Sequence, residues 1–303
     1  MTAPSSSNPG TGQIPSINAL IDRSRTLGYV MDRSLATAIF LLVRLGKPLL
    51  IEGHAGVGKT EAAKVLASTL GTELIRLQCY EGLDVNSAVY EWNYQKQLLA
   101  IKVQEGNNRA LQDVETHIFG PDFLLRRPLL KSISSEEKSP VLLVDEIDRA
   151  DEAFEAFLLE VLGEFQISIP ELGTIKATNP PYVILTSNGA RELSDALKRR
   201  CLYHWIDYPS FEKEMDIVQS RLPGIGTELG AQVVSFLHSL RKMNLSKVPG
   251  VAETLDLATA LTLLEKTNLD TGTADQFIGC VIKSADDLAK VRNEGIDKLL
   301  ASR

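Results

Sequence analysis

A glycine-rich segment near the start of the chain has the residue types and spacing of a phosphate-binding loop. Gly53 to Thr60 reads GHAGVGKT and fits the pattern G-x-x-x-x-G-K-[ST]. An apolar run precedes it and a helical pattern follows, as this motif requires. The glycines allow backbone N–H groups to surround phosphates. The residues predicted to bind ATP are Gly53, His54, Ala55, Gly56, Val57, Gly58, Lys59, Thr60 and Glu61.

Three side chains of this loop have different expected roles. Lys59 is predicted to hold the outer phosphates and to take part in catalysis, and Thr60 is predicted to hold Mg²⁺ together with ATP. The N-terminus of the following helix adds a favourable dipole for the anion. His54 occupies a variable position of the motif, so we expect it to be exposed to solvent without a catalytic role.

A second motif lies at the end of another apolar run. Val141 to Asp148 reads VLLVDEID. Asp145 is predicted to hold Mg²⁺ through water, and Glu146 to act as general base toward an attacking water. The alternative is that these acids only cap the next helix. The phosphate-binding loop upstream favours the catalytic assignment.

A third apolar run ends in an amide. Tyr182 to Asn188 reads YVILTSN, and the Asn188 amide is placed to orient the water against the γ-phosphate. Asparagine before Gly189 is also common in ordinary turns, so that alternative stays open.

The elements that must position these side chains predict an α/β fold. Short apolar runs, of the kind that parallel sheets bury on both faces, alternate with helical patterns. This alternation indicates a parallel sheet with helices on both faces. The predicted strands are 48–52, 73–77, 141–144 and 182–186, and the helices among them include 34–44, 60–70 and 153–165.

Strand signals fade beyond Pro209 and helical patterns take over. These cover 211–221, 230–240, 254–266 and 275–291, with proline and glycine marking the turns between them. We therefore predict a disordered tail over 1–14, an αβα nucleotide-binding core over 15–209 and a small all-helical lid domain over 210–303.

Composition limits the classes of function. A net charge of −7 and a pI near 5.3 argue against constitutive binding of nucleic acid, which needs clustered cations. Three distant cysteines without a C-x-x-C pair favour a reducing compartment and argue against a zinc site. The apolar run Ala36 to Val43 is too short to span a bilayer, and the first residues lack the pattern of an export signal. We expect a cytoplasmic protein with no membrane insertion.

Together these features resemble the AAA+ ATPases. The order is phosphate-binding loop, D-E strand, strand ending in asparagine, arginine pair and helical domain. Within that family, LIRLQCYEGLDVNSAVYEWNYQKQLL, LLRRPLL and DALKRRCLYHWIDYP resemble the CoxD-type members of the MoxR branch. The resemblance covers about residues 20 to 300 and implies a P-loop NTPase core with a helical lid.

The resemblance also implies how such a protein works. MoxR-type members are ring-forming, chaperone-like ATPases, so we expect a homo-oligomeric ring, as a hexamer. They often act with a partner that carries a von Willebrand A domain. CoxD-type members are implicated in maturing the metal site of molybdenum hydroxylases such as carbon monoxide dehydrogenase. The expected client is therefore a metalloenzyme.

By the same resemblance, particular residues acquire roles. Asn188 becomes the first sensor, and Arg200 lies where the family carries an arginine finger that completes the neighbouring subunit's site. Arg199 is the second candidate for the finger. The alternative is that Lys198 to Arg200 only neutralise the C-terminal end of a helix.

One stretch departs from the family pattern. AAA+ lids often supply a second-sensor arginine at the start of a lid helix, but here Glu253 stands at about that position. Either the lid senses nucleotide differently, or another cation such as Arg241 or Lys247 substitutes.

Two insertions also fit the branch. One spans 84–106 with Tyr90, Trp92 and Tyr94, which either reach a partner or the ring pore or are ordinary packing. The other, 165–176, alternates like a hairpin that turns at 171–173.

Arg126, Arg127 and His204 have less specific expectations. Arg126 and Arg127 lie in 118–130 and would meet a neighbouring subunit or a substrate, with a solvated turn as the default. His204 lies in an apolar strand, where we expect a hydrogen-bonded core residue.

These inferences predict Mg²⁺-dependent ATP hydrolysis at a subunit interface, with remodelling of a client as the output. A small-molecule kinase is an alternative that would be active as a monomer. A nucleic-acid motor or loader is another, against which the acidic balance counts. A scaffold that binds ATP without turnover is the third, and the presence of both Asp145 and Glu146 argues against it.

Overall fold

The computed structural model describes residues 14–105 and 118–301. Residues 1–13 of the predicted tail and the last residue of the insertion at 84–106 lie outside the described residues. Backbone packing forms two compact units. The first, here the sheet unit, contains Thr37–Ile51 and Leu66–His204; the second, the helical unit, contains Pro15–Ala36, Glu52–Val65 and Trp205–Arg303. The boundary at 209 and 210 stays a prediction.

The elements follow one another in a largely alternating order. The strands are β1 Leu49–Gly53, β2 Leu74–Gln78, β3 Tyr90–Trp92, β4 Leu124–Arg126, β5 Val141–Asp145, β6 Gln166–Ile169, β7 Gly173–Lys176, β8 Tyr182–Ser187 and β9 Leu202–Ile206. The helices up to the last strand are α1 Ile17–Thr26, α2 Arg33–Leu45, α3 Lys59–Leu70, α4 Val85–Val89, α5 Tyr94–Glu105, α6 Pro128–Ile133, α7 Glu152–Glu164 and α8 Asp195–Arg200. The later helices are α9 Phe211–Arg221, α10 Thr227–Arg241, α11 Val251–Leu263, α12 Thr271–Phe277, α13 Ala285–Glu294 and α14 Ile296–Ala301.

A five-stranded sheet organises the sheet unit. Its strand order is β2-β5-β8-β1-β9, and β5 pairs in parallel with both β2 and β8. The parallel α/β fold predicted from the apolar runs is confirmed. All five residues of β5 are buried, because helices cover both faces of a central parallel strand. The carboxyl ends of β2 and β5 lie in register, with Gln78 opposite Asp145.

The core of the sheet unit is apolar and centred on this sheet. Phe154, Leu158 and Val161 of α7 are buried against it, at the helical spacing that the sequence indicates. Asp151 caps α7 by accepting a hydrogen bond from the N–H of Phe154 at 2.8 Å. The helix ends at Glu164, and the next residue, Phe165, has a φ of 49° in the left-handed region.

The two insertions form small antiparallel sheets. The predicted hairpin is confirmed, with β6 and β7 paired on either side of the turn. Strand β3 pairs with β4, so 118–130 does not form a simple solvated turn. Trp92 is buried while Tyr94 is 64% exposed, and Arg127 pairs with Glu91.

Strand β9 differs from the apolar core strand that its sequence suggests. Side chains along it alternate in burial, and Tyr203 and Trp205 are 55% and 47% exposed. The reason is that β9 is the outermost strand in the sheet order. His204 is accordingly half-buried rather than a core residue.

The helical unit has its own apolar core, with Phe236 and Leu237 of α10 fully buried. The single helix predicted over 275–291 is wrong. Helix α12 begins earlier, where Asp270 caps the N–H of Thr273, and ends at Phe277. The extended backbone at Ser284 then separates it from α13. Within 14–105 and 118–301, no helix is long and apolar enough to cross a membrane.

Candidate nucleotide site

The glycines of the loop GHAGVGKT satisfy specific backbone requirements within the helical unit. Gly56 and Gly58 have φ of 74° and 92°, which side chains with a Cβ rarely adopt. A Cβ at Gly53 would lie 2.1 Å from the carbonyl oxygen of Ile206. Helix α3 begins at Lys59, so the loop leads into a helix N-terminus, which favours an anion.

Lys59 is held against the backbone of its own loop. Its side chain is buried, and Nζ donates hydrogen bonds to the carbonyl oxygens of Gly53 at 2.7 Å and His54 at 2.6 Å. The phenol of Tyr29 donates to the carbonyl of Gly58 at 3.3 Å, and burial raises the pKa of this phenol. The loop is thereby fixed on both sides of Gly56.

His54 is 45% exposed, as expected, but it is also a packing residue. Its ring stacks on Tyr208 at a centroid distance of 4.4 Å and an angle of 7°. The edge of Trp205 lies 5.6 Å away, and the carboxylate of Asp207 lies 3.6 Å from Nε2. Tyr208 therefore supports the loop from outside the motif.

Glu61, predicted with the nucleotide-binding residues, contacts two cations. Its carboxylate accepts a hydrogen bond from Lys64 at 3.0 Å and pairs with Arg221 at 3.1 Å. Partial burial would raise the pKa of Glu61, but these two cations outweigh it and lower the pKa. The side chain thus joins the start of α3 to α9.

Asp145, in the sheet unit, is buried and has partners on both carboxylate oxygens. Thr186 donates to Oδ1 at 2.5 Å. Arg76 donates to Oδ2 from Nε at 3.0 Å and from Nη2 at 2.6 Å. The guanidinium compensates the buried charge of the carboxylate.

Glu146 has a strained backbone, with φ of 56° and ψ of 51°. Its Oε1 accepts from Nδ2 of Asn188 at 3.2 Å. Its Oε2 accepts from Nε2 of Gln78 at 3.1 Å and lies 2.8 Å from Nε of Arg149. The structure thus brings Glu146 and Asn188 together.

The helix-capping alternative for these acids is wrong. Glu146 makes no side-chain capping bond to the short 3-10 turn Ile147–Arg149. Helix α7 is capped by Asp151 instead. The Asp145 and Glu146 carboxylates instead accept hydrogen bonds from side chains of β2 and from the end of β8.

Two buried acids shape the segment that follows Asn188. Oδ2 of Asp148 accepts from the N–H groups of Asn188 at 3.1 Å and Ala190 at 2.9 Å. Glu155 pairs with Arg191 and accepts from the N–H of Ser194, which in turn caps α8. These bonds join the end of β8 to the helix that carries the arginine pair.

Arg199 and Arg200 lie in the last turn of α8, exposed to solvent. Arg200 donates from Nη1 to the carbonyl of Leu159 at 2.9 Å. The side chain of Arg199 makes no hydrogen bond or ion pair within the described part of the chain. Their position also suits helix-dipole compensation, so both explanations of the cations stand.

Two of the three lid positions considered for nucleotide sensing, Glu253 and Arg241, make structural side-chain contacts. Glu253 caps α11 through a 2.8 Å hydrogen bond from the N–H of Gly250. Arg241 is buried and pairs with Glu214. Lys247 is exposed.

Sequence reasoning missed several polar partners in the sheet unit. The residues that contact the predicted acids without having been predicted are Arg76, Gln78, Arg149 and Thr186, and Asp148 contacts the predicted Asn188. The available signal was the alternation of Arg76 and Gln78 with apolar residues along β2, which puts both side chains on one face.

Comparison with known proteins identifies the family. Residues 48–201, about half of the chain, match the model of the AAA domain of the dynein-related subfamily. The chain belongs to this family. This match confirms the predicted AAA+ membership. AAA domains are nucleotide-hydrolysing P-loop NTPases that typically form oligomeric rings.

Bacterial relatives of 24% identity cover about two thirds of the chain. An uncharacterized protein from Staphylococcus haemolyticus is 24% identical over 224 residues, covering 70% of this chain and 75% of that protein. One from Staphylococcus saprophyticus is 24% identical over 213 residues, covering 67% and 71%. Among solved structures, a RuvB mutant from Thermotoga maritima has a TM-score of 0.49 at 17% identity, covering 87% of this chain and 72% of that one.

Proposed function

We propose that this AAA protein hydrolyses ATP with Mg²⁺, with Glu146 as the general base and Asn188 as the residue that orients the attacking water. The observation that carries the proposal is the contact between Glu146 Oε1 and Asn188 Nδ2, 3.2 Å apart at the ends of β5 and β8. A carboxylate and an amide placed together can accept the proton of a water and fix its direction.

The phosphate contacts belong to the loop before α3. Backbone N–H groups around Gly56 and Gly58 would surround the phosphates, and Lys59 would exchange its bonds to Gly53 and His54 for the outer phosphates. That exchange keeps the ammonium hydrogen-bonded throughout. The buried ammonium of Lys59 would therefore not be left without hydrogen-bond partners, which would cost free energy.

The residues present fit Mg²⁺. The Thr60 hydroxyl and the Asp145 carboxylate are oxygen donors, which this ion prefers. Mg²⁺ bound with ATP would neutralise charge that develops on the phosphates. For Asp145 to assist it, Oδ2 would give up part of its pairing with Arg76.

A cation from a neighbouring subunit would complete the reaction. Arg200 and Arg199 end a helix whose start is fixed by Ser194, so their backbone is well placed to present a guanidinium outward. Arginine fingers in P-loop enzymes contribute about 10³ to 10⁵ in rate. We propose Arg200 as the finger and Arg199 as the second candidate. The subunits would form a homo-oligomeric ring, which we propose to be a hexamer.

Subunit mixing tests the ring and the finger. Arg200→Ala should bind ATP but lose hydrolysis, and Lys59→Ala should lose ATP binding. A mixture of the two should recover part of the wild-type rate, because a Lys59→Ala subunit can supply its arginine to an Arg200→Ala neighbour. Arg199→Ala, treated in the same way, decides between the two arginines. No recovery with either arginine variant would contradict a finger acting between subunits.

The finer proposal concerns the client. The resemblance of the segments around 74–99 and 195–209 to CoxD-type MoxR proteins supports a chaperone-like role in maturing the metal site of a molybdenum hydroxylase, with a von Willebrand A partner, in the cytoplasm. A Glu146→Gln protein that retains ATP should capture this client from the native host. Lys59→Ala is the matched control without nucleotide. Recovery of DNA alone, together with ATPase activity stimulated by DNA, would instead indicate a nucleic-acid motor.

A further inference from the structure

The start of α11 lies directly on the phosphate-binding loop. The N–H of Ala252 donates to the carbonyl of Gly56 at 3.2 Å. A Cβ at Gly250 would lie 2.6 Å from the carbonyl oxygen of Ala55 and 2.9 Å from Cα of Gly56. Two glycine backbones therefore meet here, and a shift of Gly250 would move the carbonyl side of the loop.

A buried ion pair fixes the position of Gly250. The carboxylate of Glu214 is fully buried and accepts from Arg241 at 2.5 and 2.7 Å, from Thr254 at 2.5 Å and contacts His238 at 2.9 Å. Arg241 also donates from Nε to the carbonyl of Pro249 at 2.8 Å. The residue before Gly250 is thus tied to α10, and the first turn of α11 is tied to α9.

The same guanidinium supports the loop at a second point. Arg241 Cζ lies 5.0 Å from the ring centroid of Tyr208, within the range of a cation–π contact. The ring of Tyr208 also stacks on the ring of His54, the second residue of the loop. Arg241 is therefore linked to the loop at Gly56, through Pro249 and Gly250, and at His54, through Tyr208.

We propose that Arg241 is a positioning residue for the phosphate-binding loop, which sets nucleotide affinity from behind the loop without touching the phosphates. This inference rests on the proposed nucleotide binding. The guanidinium nitrogens of Arg241 already donate to Glu214, Pro249 and Thr254. The arginine therefore acts on the nucleotide indirectly, through the conformation of Gly56 and His54.

Two variants test the two links: Arg241→Lys disturbs both, and Tyr208→Leu removes only the link through His54. Arg241→Lys keeps the charge but loses the forked pairing and the flat face that Tyr208 contacts. Tyr208→Leu removes the stack on His54 and leaves the Arg241–Glu214 pair intact. Lys242→Ala, at the exposed neighbouring position, is the matched control.

The measurement is the dissociation constant of Mg-ATP and Mg-ADP for each full-length variant, by calorimetry, together with kcat and KM. We expect Arg241→Lys to weaken binding about tenfold and Tyr208→Leu about threefold to tenfold, with kcat at saturating ATP changed less than KM. Lys242→Ala should bind like the wild type. His54→Ala combined with Tyr208→Leu should weaken binding no more than either change alone, because both remove the same stack.

Different failures have different meanings. If the wild-type protein binds no nucleotide, the proposed function is wrong. If the wild type binds and both Arg241→Lys and Tyr208→Leu bind equally well, or if they lower only the melting temperature, Arg241 is merely structural and this inference is overturned. Tyr208 is half-exposed, so its variant should fold and keep the test decisive even if Arg241→Lys does not.

Discussion

Asp148 offers a sharp test of how the water-orienting amide is held. One carboxylate oxygen accepts the N–H groups of Asn188 at 3.1 Å and Ala190 at 2.9 Å. The other, Oδ1, is buried and has no hydrogen-bond partner among the described residues. Replacement by alanine and by asparagine should therefore have very different effects.

The magnitudes follow from these contacts. Asp148→Ala leaves two partly buried N–H groups without an acceptor, at about 1 to 1.5 kcal/mol each, and relieves part of the desolvation of Oδ1. We expect a net loss of about 2 kcal/mol in the free energy of unfolding and a melting temperature lower by about 3 °C. Asp148→Asn keeps an acceptor for both groups, so it should cost less than about 1 kcal/mol.

Catalysis should follow the same order. Loss of the bond to its N–H displaces Asn188 by a fraction of an ångström or more, so kcat of Asp148→Ala should fall about tenfold to a hundredfold. Asp148→Asn should keep kcat within about threefold of the wild type. Thermal unfolding and steady-state ATPase assays at saturating ATP measure both effects. Equal values for the two variants, in melting temperature and kcat alike, would refute the role assigned to Asp148.

Three further predictions concern the sheet unit. Gln78→Ala frees one lone pair of the Glu146 carboxylate, and we expect ATP turnover at saturation to rise about fivefold, the equivalent of one net hydrogen bond. Arg191→Ala leaves Glu155 buried without its cation and should lower the free energy of unfolding by about 3 kcal/mol, read from denaturant titration. Burial, together with nearby acids, raises the pKa of the Cys79 thiol to about 12, so at pH 8 it stays protonated. Iodoacetamide should then label it, by peptide mass spectrometry, far more slowly in the native than in the unfolded protein.

Each of these three predictions has a control or a result that would contradict it. Gln78→Glu removes the same donor, so it should not lower turnover, and a rate below that of the wild type would contradict the role given to Gln78. Lys198→Ala breaks only an exposed pair with Glu192 and should leave stability within about 0.5 kcal/mol. Rapid labelling of native Cys79 would contradict its burial.

The sequence predicted the centre of the fold because its signals are local. The strand over Val141–Asp145 is an unbroken apolar run, and the loop at Gly53 to Thr60 is defined by glycine and lysine spacing alone. Both were placed within about two residues. Asp145, Glu146 and Asn188 could be singled out as candidates because Asp145 ends a buried strand and the other two directly follow one.

The remaining features depend on which elements become neighbours. Arg76 could not be assigned to Asp145 without knowing that β2 and β5 are adjacent. The exposure of Tyr203 depends on β9 being an outermost strand, which its composition hides. The break between α12 and α13 was missed because apolar spacing continues through Ile278 and Ile282 while the backbone turns.

The direct test of the central claim is hydrolysis by Glu146→Gln measured beside its affinity for ATP. Glutamine keeps the size of the side chain and can still contact Asn188, but it cannot accept the proton of the attacking water. The account predicts a dissociation constant for Mg-ATP within about twofold of the wild type and a turnover at least about a hundredfold lower. Turnover within about threefold of the wild type would contradict Glu146 as the base.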